Sequence, residues 1–324
     1  MYHLLNPALK TLARSVILES GAIPRPRDYC ENHACPVIQE HWNRFVSEIP
    51  ECAAALKNSM DCIRTNATQS SLITAIKAVV TWESSFSYNP MIDGPGGLIP
   101  DVPARLFAAG KYVHIPIISG SNLDEGTVFA PRDLETPQDL ENYLKSLFPE
   151  ASSQDIDKLS QLYPDVPAAG SPFNTGNNTF GMSSQYKRAA AIAGDSMFIG
   201  GQRRLNGDLS KTDGTFYAYR FSVPEAALDP SLGVAHSAEL DYVYGNPKTS
   251  SARAIAVSKQ MVDYWISFAT SLNPNDGRGL ERPQWPKYQS NQPEILELHS
   301  EGTKKIVDNF RAAQIDHILK LIDL

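Results

Sequence analysis

Short runs of apolar, largely β-branched residues alternate along this chain with segments of helical periodicity. Residues 14–19 (RSVILE) and 114–119 (HIPIIS) have the composition of strands that are buried on both faces. Residues 215–221, rich in aromatic side chains, and residues 295–298 follow the same pattern further along. Helical spacing separates these runs, at residues 72–82, 135–147, 153–163, 185–205, 250–272 and 303–324. The alternation predicts an α/β architecture with a mainly parallel sheet.

The size and composition of the chain are those of an ordinary globular protein. It has 324 residues, of which 42% are hydrophobic and 20% charged, and its net charge is -7. We expect one domain over residues 1–324, because no linker, repeat or low-complexity segment divides the chain. An acidic chain without a basic run is poorly suited to bind nucleic acid or an anionic membrane. No stretch approaches the roughly 20 apolar residues of a transmembrane helix.

A turn that carries carboxylates follows directly on the second predicted strand. Residues 120–127 read GSNLDEGT and begin where the strand at residues 114–119 ends. In α/β folds the loops at the carboxyl ends of strands build the active site, so a carboxylate here can orient and stabilise an imidazole. The alternative is a plain turn in which Asp124 or Glu125 caps the helix that follows.

A histidine in a later loop complements this turn. His236 lies in residues 233–240 (GVAHSAEL), after the strand at residues 215–221 and an irregular stretch that contains proline. A loop histidine titrates near neutral pH and can act as a general base, although one of seven histidines can equally be an ordinary surface residue. An acid before a histidine, each after a strand, matches the α/β-hydrolase order of Ser, then Asp or Glu, then His.

A set of segments, in this order along the chain, resembles the type-B carboxylesterases and lipases. These segments are residues 17–22, Cys52 with residues 62–64, residues 93–94 with 99–101, residues 120–127, residues 233–240 with 242–245, and residues 285–288. The resemblance extends over nearly the whole chain and is greatest to the secreted fungal branch. It implies an α/β-hydrolase fold and hydrolysis of carboxylic esters through an acyl-enzyme, without a metal or an organic cofactor.

The resemblance also implies roles for individual residues. Glu125 corresponds to the acid and His236 to the base of a Ser-Glu-His triad. Cys52 and Cys62 correspond to the short disulfide loop of the family. The two other cysteines, Cys30 and Cys35, are candidates for a second bridge, and four reduced thiols are the alternative.

No nucleophile accompanies these two residues in the sequence. The family carries its serine in a G-x-S-x-G elbow and has a glycine-rich oxyanion loop, and neither pattern occurs in this chain. We therefore expect the C-terminal part of a family member, an N-terminally truncated α/β-hydrolase that lacks its serine half and is inactive alone. The alternatives are a non-catalytic interaction protein of the cholinesterase-like fold and a half that a separate chain complements.

Weaker signals concern the compartment and the substrate pocket. Asn66 and Asn177 lie in N-glycosylation sequons, and a disulfide suits an oxidising compartment. The family habit therefore implies a secreted protein, although the chain shows no signal peptide. Aromatic side chains that precede and follow the acid motif are candidates for a pocket wall or for the core. They are Trp82, Phe86, Tyr88 and Phe129.

Overall fold

A five-stranded sheet runs through the protein in a computed structural model that describes residues 1–23, 36–79, 90 and 92–322. In spatial order the strands are β1 (Val16–Glu19), β2 (Ile117–Asn122), β3 (Phe216–Phe221), β4 (Glu294–Leu298) and β5 (Lys304–Val307). The first four strands are parallel, and β5 runs antiparallel to β4. The predicted parallel sheet is therefore present, and each of the four predicted strands forms.

Helices connect and cover these strands. The α-helices are α1 (Leu9–Leu12), α2 (Pro36–Ser47), α3 (Ser59–Asn66), α4 (Gln69–Val79), α5 (Pro103–Ala108), α6 (Pro137–Leu147), α7 (Ser153–Leu162), α8 (Tyr186–Gly194), α9 (Gly200–Leu209), α10 (Leu240–Val243), α11 (Ala252–Ser271) and α12 (Ala312–Ile322). Short 3-10 helices lie at Tyr2–Leu5, Leu56–Asn58, Glu125–Val128, Pro167–Ala169 and Pro224–Ala226. Capping boxes explain where two helices begin, with Thr136 before α6 and Ser152 before α7.

One helical prediction is wrong over part of its length. The spacing of residues 303–324 predicts a single helix, but its first part is the strand β5 and the helix α12 begins only at Ala312. Pairing with β4 explains the difference, because Nζ of Lys304 lies 3.8 Å from Oε2 of Glu297 across the antiparallel pair. Opposite charges on facing strands favour such pairing over local helix propensity.

The helix predicted over residues 185–205 is interrupted in its middle. The helix α8 leads into a π-helix at Asp195–Ile199, which continues into α9. The buried carboxylate of Asp195 accepts hydrogen bonds from the Tyr163 hydroxyl at 2.6 Å and from two nitrogens of Arg311 at 2.6 and 2.7 Å. The π-helix is therefore held at its first residue by a buried ion pair in which both carboxylate oxygens of Asp195 accept hydrogen bonds.

One face of the sheet packs against α11. Alternate side chains of β3 point to this face, as the two-residue period of a strand requires. The buried cluster contains Ile118, Tyr217, Tyr219, Phe221, Leu296 and Leu298 from the sheet, Met261, Tyr264, Trp265 and Phe268 from α11, and Trp285. Several of its aromatic pairs meet edge to face, among them Tyr219 with Trp265 and Tyr264 with Trp285.

The packing divides the chain into two compact units. One unit contains Met1–Pro24 and Pro103–Leu324, which includes the whole sheet, and the other contains Arg25–Val102. The second unit has its own apolar cluster, formed by Phe45, Val46, Ile49, Cys52, Ala75 and Val79. The expectation of one domain over residues 1–324 stays a prediction. Among the described residues, we find no helix with the length and apolar character that crossing a membrane requires.

Candidate active site

Glu125 lies in the turn that follows β2, at the start of a 3-10 helix. Its side chain has no exposed surface, yet both carboxylate oxygens have partners. Oε1 accepts a hydrogen bond from the backbone N–H of Asn122 at 2.7 Å and one from the Ser20 hydroxyl at 2.5 Å. Oε2 faces Nδ1 of His236 at 2.7 Å. The buried carboxylate is thus fixed in one orientation, with one oxygen directed at the imidazole.

His236 lies in the loop between β3 and α10, and its side chain is 33% exposed. Because an ionised carboxylate can only accept, the contact with Glu125 places a proton on Nδ1. Within the described residues the other ring nitrogen, Nε2, makes no hydrogen bond. This arrangement leaves Nε2 as the nitrogen that can take up a proton from another group. The structure therefore brings together the two residues that the sequence singled out, 111 positions apart.

The electrostatic surroundings favour the protonated imidazole. The hydrogen bond that His236 donates to Glu125 raises the pKa of the imidazole, and the charges of Glu125 and Glu239 act in the same direction, against the opposing effect of burial. Glu239 is itself buried and accepts a hydrogen bond from the side chain of Asn122. Burial raises the pKa of Glu239 above its usual range. A developing imidazolium at His236 is thus stabilised chiefly by the carboxylate it touches.

Ser20 and Asn122 are site residues that sequence reasoning did not single out. Ser20 follows β1 directly and has a left-handed backbone, with φ of 54°, which directs its hydroxyl to Glu125. Asn122 ends β2, and its side-chain amide joins Glu239 to the carbonyl of Ala235. Both residues could have been found from the predicted sheet. Each lies at or just after the carboxyl end of a strand, and the carboxyl ends of neighbouring parallel strands meet at the same edge of a sheet.

Two phenylalanines border the imidazole of His236. The ring of Phe198, from the π-helix, lies 4.8 Å from the imidazole centroid, and the ring of Phe129 lies 5.4 Å away. The two phenyl rings also contact each other at 5.3 Å. These rings shield part of the imidazole from water. Of the aromatic residues considered for a pocket, Trp82, Phe86 and Tyr88 lie outside the described residues.

The alternative interpretation of the acid motif is wrong. The side chain of Asp124 does not cap the short helix that begins at Glu125. Its buried carboxylate instead accepts hydrogen bonds from Ser171, Phe173 and Val234, far along the chain. The carboxylate of Glu125 is equally committed to partners outside that helix.

The remaining sequence candidates lie away from this carboxylate–imidazole pair. Cys52 and Cys62 form a disulfide, and Cys30 and Cys35 lie outside the described residues. The side chains of Asn66 and Asn177 are exposed, so glycosylation at these positions stays a prediction that their exposure permits. Among the described residues, no group of three or more His, Cys, Asp or Glu side chains could hold a metal ion.

The sequence model of the Carboxylesterase family matches residues 1–317. The chain belongs to the carboxylesterase family. Two fungal members are similar to it along most of its length. Lipase 2 of Geotrichum candidum is 31% identical over 317 residues, which cover 95% of this chain and 53% of that protein. Secreted lipase 1 of Botryotinia fuckeliana is 30% identical, over 96% of this chain and 52% of that protein.

The comparison with solved structures concerns the fold of this carboxylesterase-family chain. The crystal structure of Aspergillus niger EstA superposes with a TM-score of 0.77 at 21% sequence identity, covering 100% of this chain and 62% of that one. The expected α/β-hydrolase fold is confirmed. The chain spans about half the length of the two fungal lipases it matches.

Proposed function

We propose that Glu125 and His236 are the acid and the base of a Ser-Glu-His triad that hydrolyses carboxylic esters. The observation that carries this proposal is the 2.7 Å contact between Oε2 of the buried Glu125 and Nδ1 of His236. A carboxylate that is buried, hydrogen-bonded and aimed at Nδ1 has the role of the triad acid, since it selects the tautomer whose Nε2 can accept a proton. Membership of the carboxylesterase family supports the same reaction.

The chemistry assigned to the pair is acid–base catalysis of acyl transfer. Nε2 of His236 removes the proton from a serine hydroxyl while the serine oxygen bonds to the ester carbonyl carbon. The imidazolium, stabilised by Glu125, then gives this proton to the alcohol oxygen as the ester C–O bond breaks. In the second half, His236 takes a proton from water as the water oxygen attacks the acyl-enzyme, and returns it to the departing serine oxygen.

The serine of this reaction is proposed to lie outside the 324 residues. The supporting observation is that no G-x-S-x-G pentapeptide occurs in the sequence, whereas the acid and the base are both present and paired. The 324-residue chain alone is then inactive towards esters. A segment that carries the serine elbow and the oxyanion loop would complete the site.

Secretion is proposed for the same protein. One of the similar fungal proteins is named a secreted lipase, and the Cys52–Cys62 disulfide suits an oxidising compartment. The exposure of both sequon residues, Asn66 and Asn177, fits the same compartment.

The test is an ester-hydrolysis assay with and without a segment that supplies the serine. We expect no turnover of p-nitrophenyl esters, and no labelling by a fluorophosphonate, for the 324-residue chain alone. Co-expression with the N-terminal half of Geotrichum candidum Lipase 2 is the complementation arm. Turnover in that arm should fall by a factor of about 10⁴ in the Glu125→Gln variant, as for other triad acids. Turnover by the chain alone that persists in His236→Ala would contradict the proposal.

A further inference from the structure

The loop that carries His236 is attached, through the residues just before the histidine, to α8 and to the turn at residues 120–127, which we call the acid turn. The hydroxyl of Tyr186 donates to the carbonyl of Ser231 at 3.0 Å, and that of Thr127 to the carbonyl of Leu232 at 2.7 Å. The side-chain amide of Asn122 donates to the carbonyl of Ala235 at 2.8 Å. We call residues 231–235 the tethered segment.

Asp124 holds the middle of the tethered segment through both its backbone and its side chain. The N–H of Asp124 donates to the carbonyl of Val234 at 3.0 Å, and the N–H of Val234 donates to Oδ2 of Asp124 at 2.9 Å. The other carboxylate oxygen, Oδ1, accepts from the Ser171 hydroxyl at 2.7 Å and from the N–H of Phe173 at 2.8 Å. One carboxylate therefore joins the acid turn, the tethered segment and the loop at residues 171–173.

The backbone of the tethered segment is shaped to this carboxylate. Gly233 has a left-handed backbone, with φ of 60°, and a Cβ atom there would lie 2.5 Å from Oδ2 of Asp124. The segment thus passes directly over the carboxylate, closer than a side chain allows. Asp124 is only 2% exposed, so water does not compete for these hydrogen bonds.

We propose that Asp124 is a positioning residue, which holds the tethered segment so that Nδ1 of His236 meets Oε2 of Glu125. This inference rests on the proposed triad. His236 lies two positions after Val234, whose peptide Asp124 binds, and Glu125 is the next residue after Asp124. The hydrogen bonds of Asp124 therefore fix the position of His236 relative to Glu125. A shift of 1 Å in such a contact is enough to weaken it severely.

The experiment measures the Nδ1–H proton resonance of His236 by NMR in the 324-residue chain, together with the imidazole pKa. Asp124→Asn keeps one acceptor oxygen where the N–H groups of Val234 and Phe173 now use two, so one of these backbone donors loses its partner. Thr127→Val loses a second tether without any change of charge. We expect both variants to shift or broaden the Nδ1–H resonance by at least half of the effect of Glu125→Gln. A loss of charge alone would move the imidazole pKa but leave the Nδ1–H hydrogen bond in place.

The control is Asp308→Asn, which removes a different buried carboxylate, one that accepts from Arg203 and Tyr288. It should lower stability and leave the His236 resonance unchanged. The positioning role is overturned if Asp124→Asn and Thr127→Val both keep the wild-type resonance, or if Asp308→Asn changes it equally. A neutral amide is a weaker acceptor than a carboxylate, so a resonance that keeps its wild-type chemical shift in Glu125→Gln would instead show that the proposed triad pairing is wrong, which is a separate result.

Discussion

The buried carboxylate of Glu125 depends on the hydrogen bonds that its neighbours donate to it. Glu125 is fully buried, and an ionised carboxylate in that position costs several kcal/mol unless hydrogen bonds replace its water. Ser20, Asn122 and His236 supply those hydrogen bonds. Removal of one of them leaves part of the carboxylate unsatisfied, so mutations at Ser20 are expected to affect the imidazole that they do not touch.

The pKa of His236 should respond much more to Glu125 than to Glu239. Glu125 raises this pKa through a direct hydrogen bond and through its charge, whereas Glu239 acts only through its charge, which is the smallest contribution. We expect Glu125→Gln to lower the imidazole pKa more than Glu239→Gln does. NMR titration of the His236 ring protons measures both. An equal fall in the two variants would show that the Nδ1–Oε2 hydrogen bond contributes little.

The raised pKa of His236 also predicts how stability depends on pH. The folded protein binds the imidazole proton more tightly than the unfolded chain does, and in the unfolded chain the imidazole has its usual pKa of 6.5. The resulting stabilisation is therefore complete below that usual value and is lost as the pH rises through the raised folded pKa. Wild type should therefore have a higher free energy of unfolding than His236→Gln at about pH 5.5, and this difference should shrink as the pH rises to about 9. Urea unfolding measures it. The same comparison in a Glu125→Gln background should show no such loss.

Whole elements meet at this site through backbone contacts that only small residues permit. The turn after β2 packs directly on α8, where Gly126 faces Ala190 and Gly194. The predicted continuous helix at residues 185–205 also changes pitch next to this contact, and the π-helix carries Phe198 to the imidazole. Helix packing and a local π-turn, neither of which follows from hydrophobic spacing, thus shape the surroundings of His236.

An alanine at position 126 tests this packing. A Cβ atom on Gly126 would overlap the carbonyl oxygen of Ala190 and the backbone nitrogen of Gly194. We expect Gly126→Ala to lower the free energy of unfolding by about 1–3 kcal/mol or more, because backbone must move. The matched control is Gly207→Ala in α9, where a Cβ atom meets nothing within 4 Å. There the change should be neutral or stabilising by up to about 1 kcal/mol. Chemical denaturation of both variants shows whether the loss of stability comes from the close packing at Gly126 or from replacing any glycine with alanine.

The molecule as a whole places its candidate chemistry at one edge of the parallel sheet. Ser20 follows β1 and Glu125 follows β2, and the loop after β3 brings in His236. Neighbouring parallel strands must have their carboxyl ends on the same side, so residues far apart in sequence converge there. The apolar cluster under α11 holds these strands in register from one face.

The disulfide belongs to the unit formed by Arg25–Val102, and its effect should be visible there. Cys52 and Cys62 are separated by 10 positions, and Cys52 is part of the apolar cluster of that unit. Reduction is expected to destabilise this unit by about 3 kcal/mol, because the open chain regains conformational freedom when unfolded. Hydrogen exchange of α2, α3 and α4, before and after reduction, measures the effect. Protection that stays unchanged in the reduced protein would contradict it.

The amino-acid sequence was sufficient for the features that depend on neighbours along the chain. Apolar runs of strand length at residues 14–19 and 114–119 become β1 and β2. Burial on both faces holds for β2, which is buried throughout, whereas in β1 only Leu18 is buried. The acidic motif and the histidine motif supported a resemblance to the carboxylesterase family, and that resemblance selected Glu125 and His236, which the structure brings to 2.7 Å.

Other features depended on contacts between distant parts of the chain. Ser20 meets Glu125 across 105 positions and Asn122 meets Glu239 across 117, and no local pattern marks such pairs. Asp124 has the composition of an ordinary turn residue, and only its burial beneath the tethered segment gives it three distant donors. The strand β5 forms where spacing predicts helix, because β4 lies beside it. Periodicity encodes which face of an element is apolar, whereas long-range packing selects the partners, the register and the hydrogen bonds that buried polar groups require.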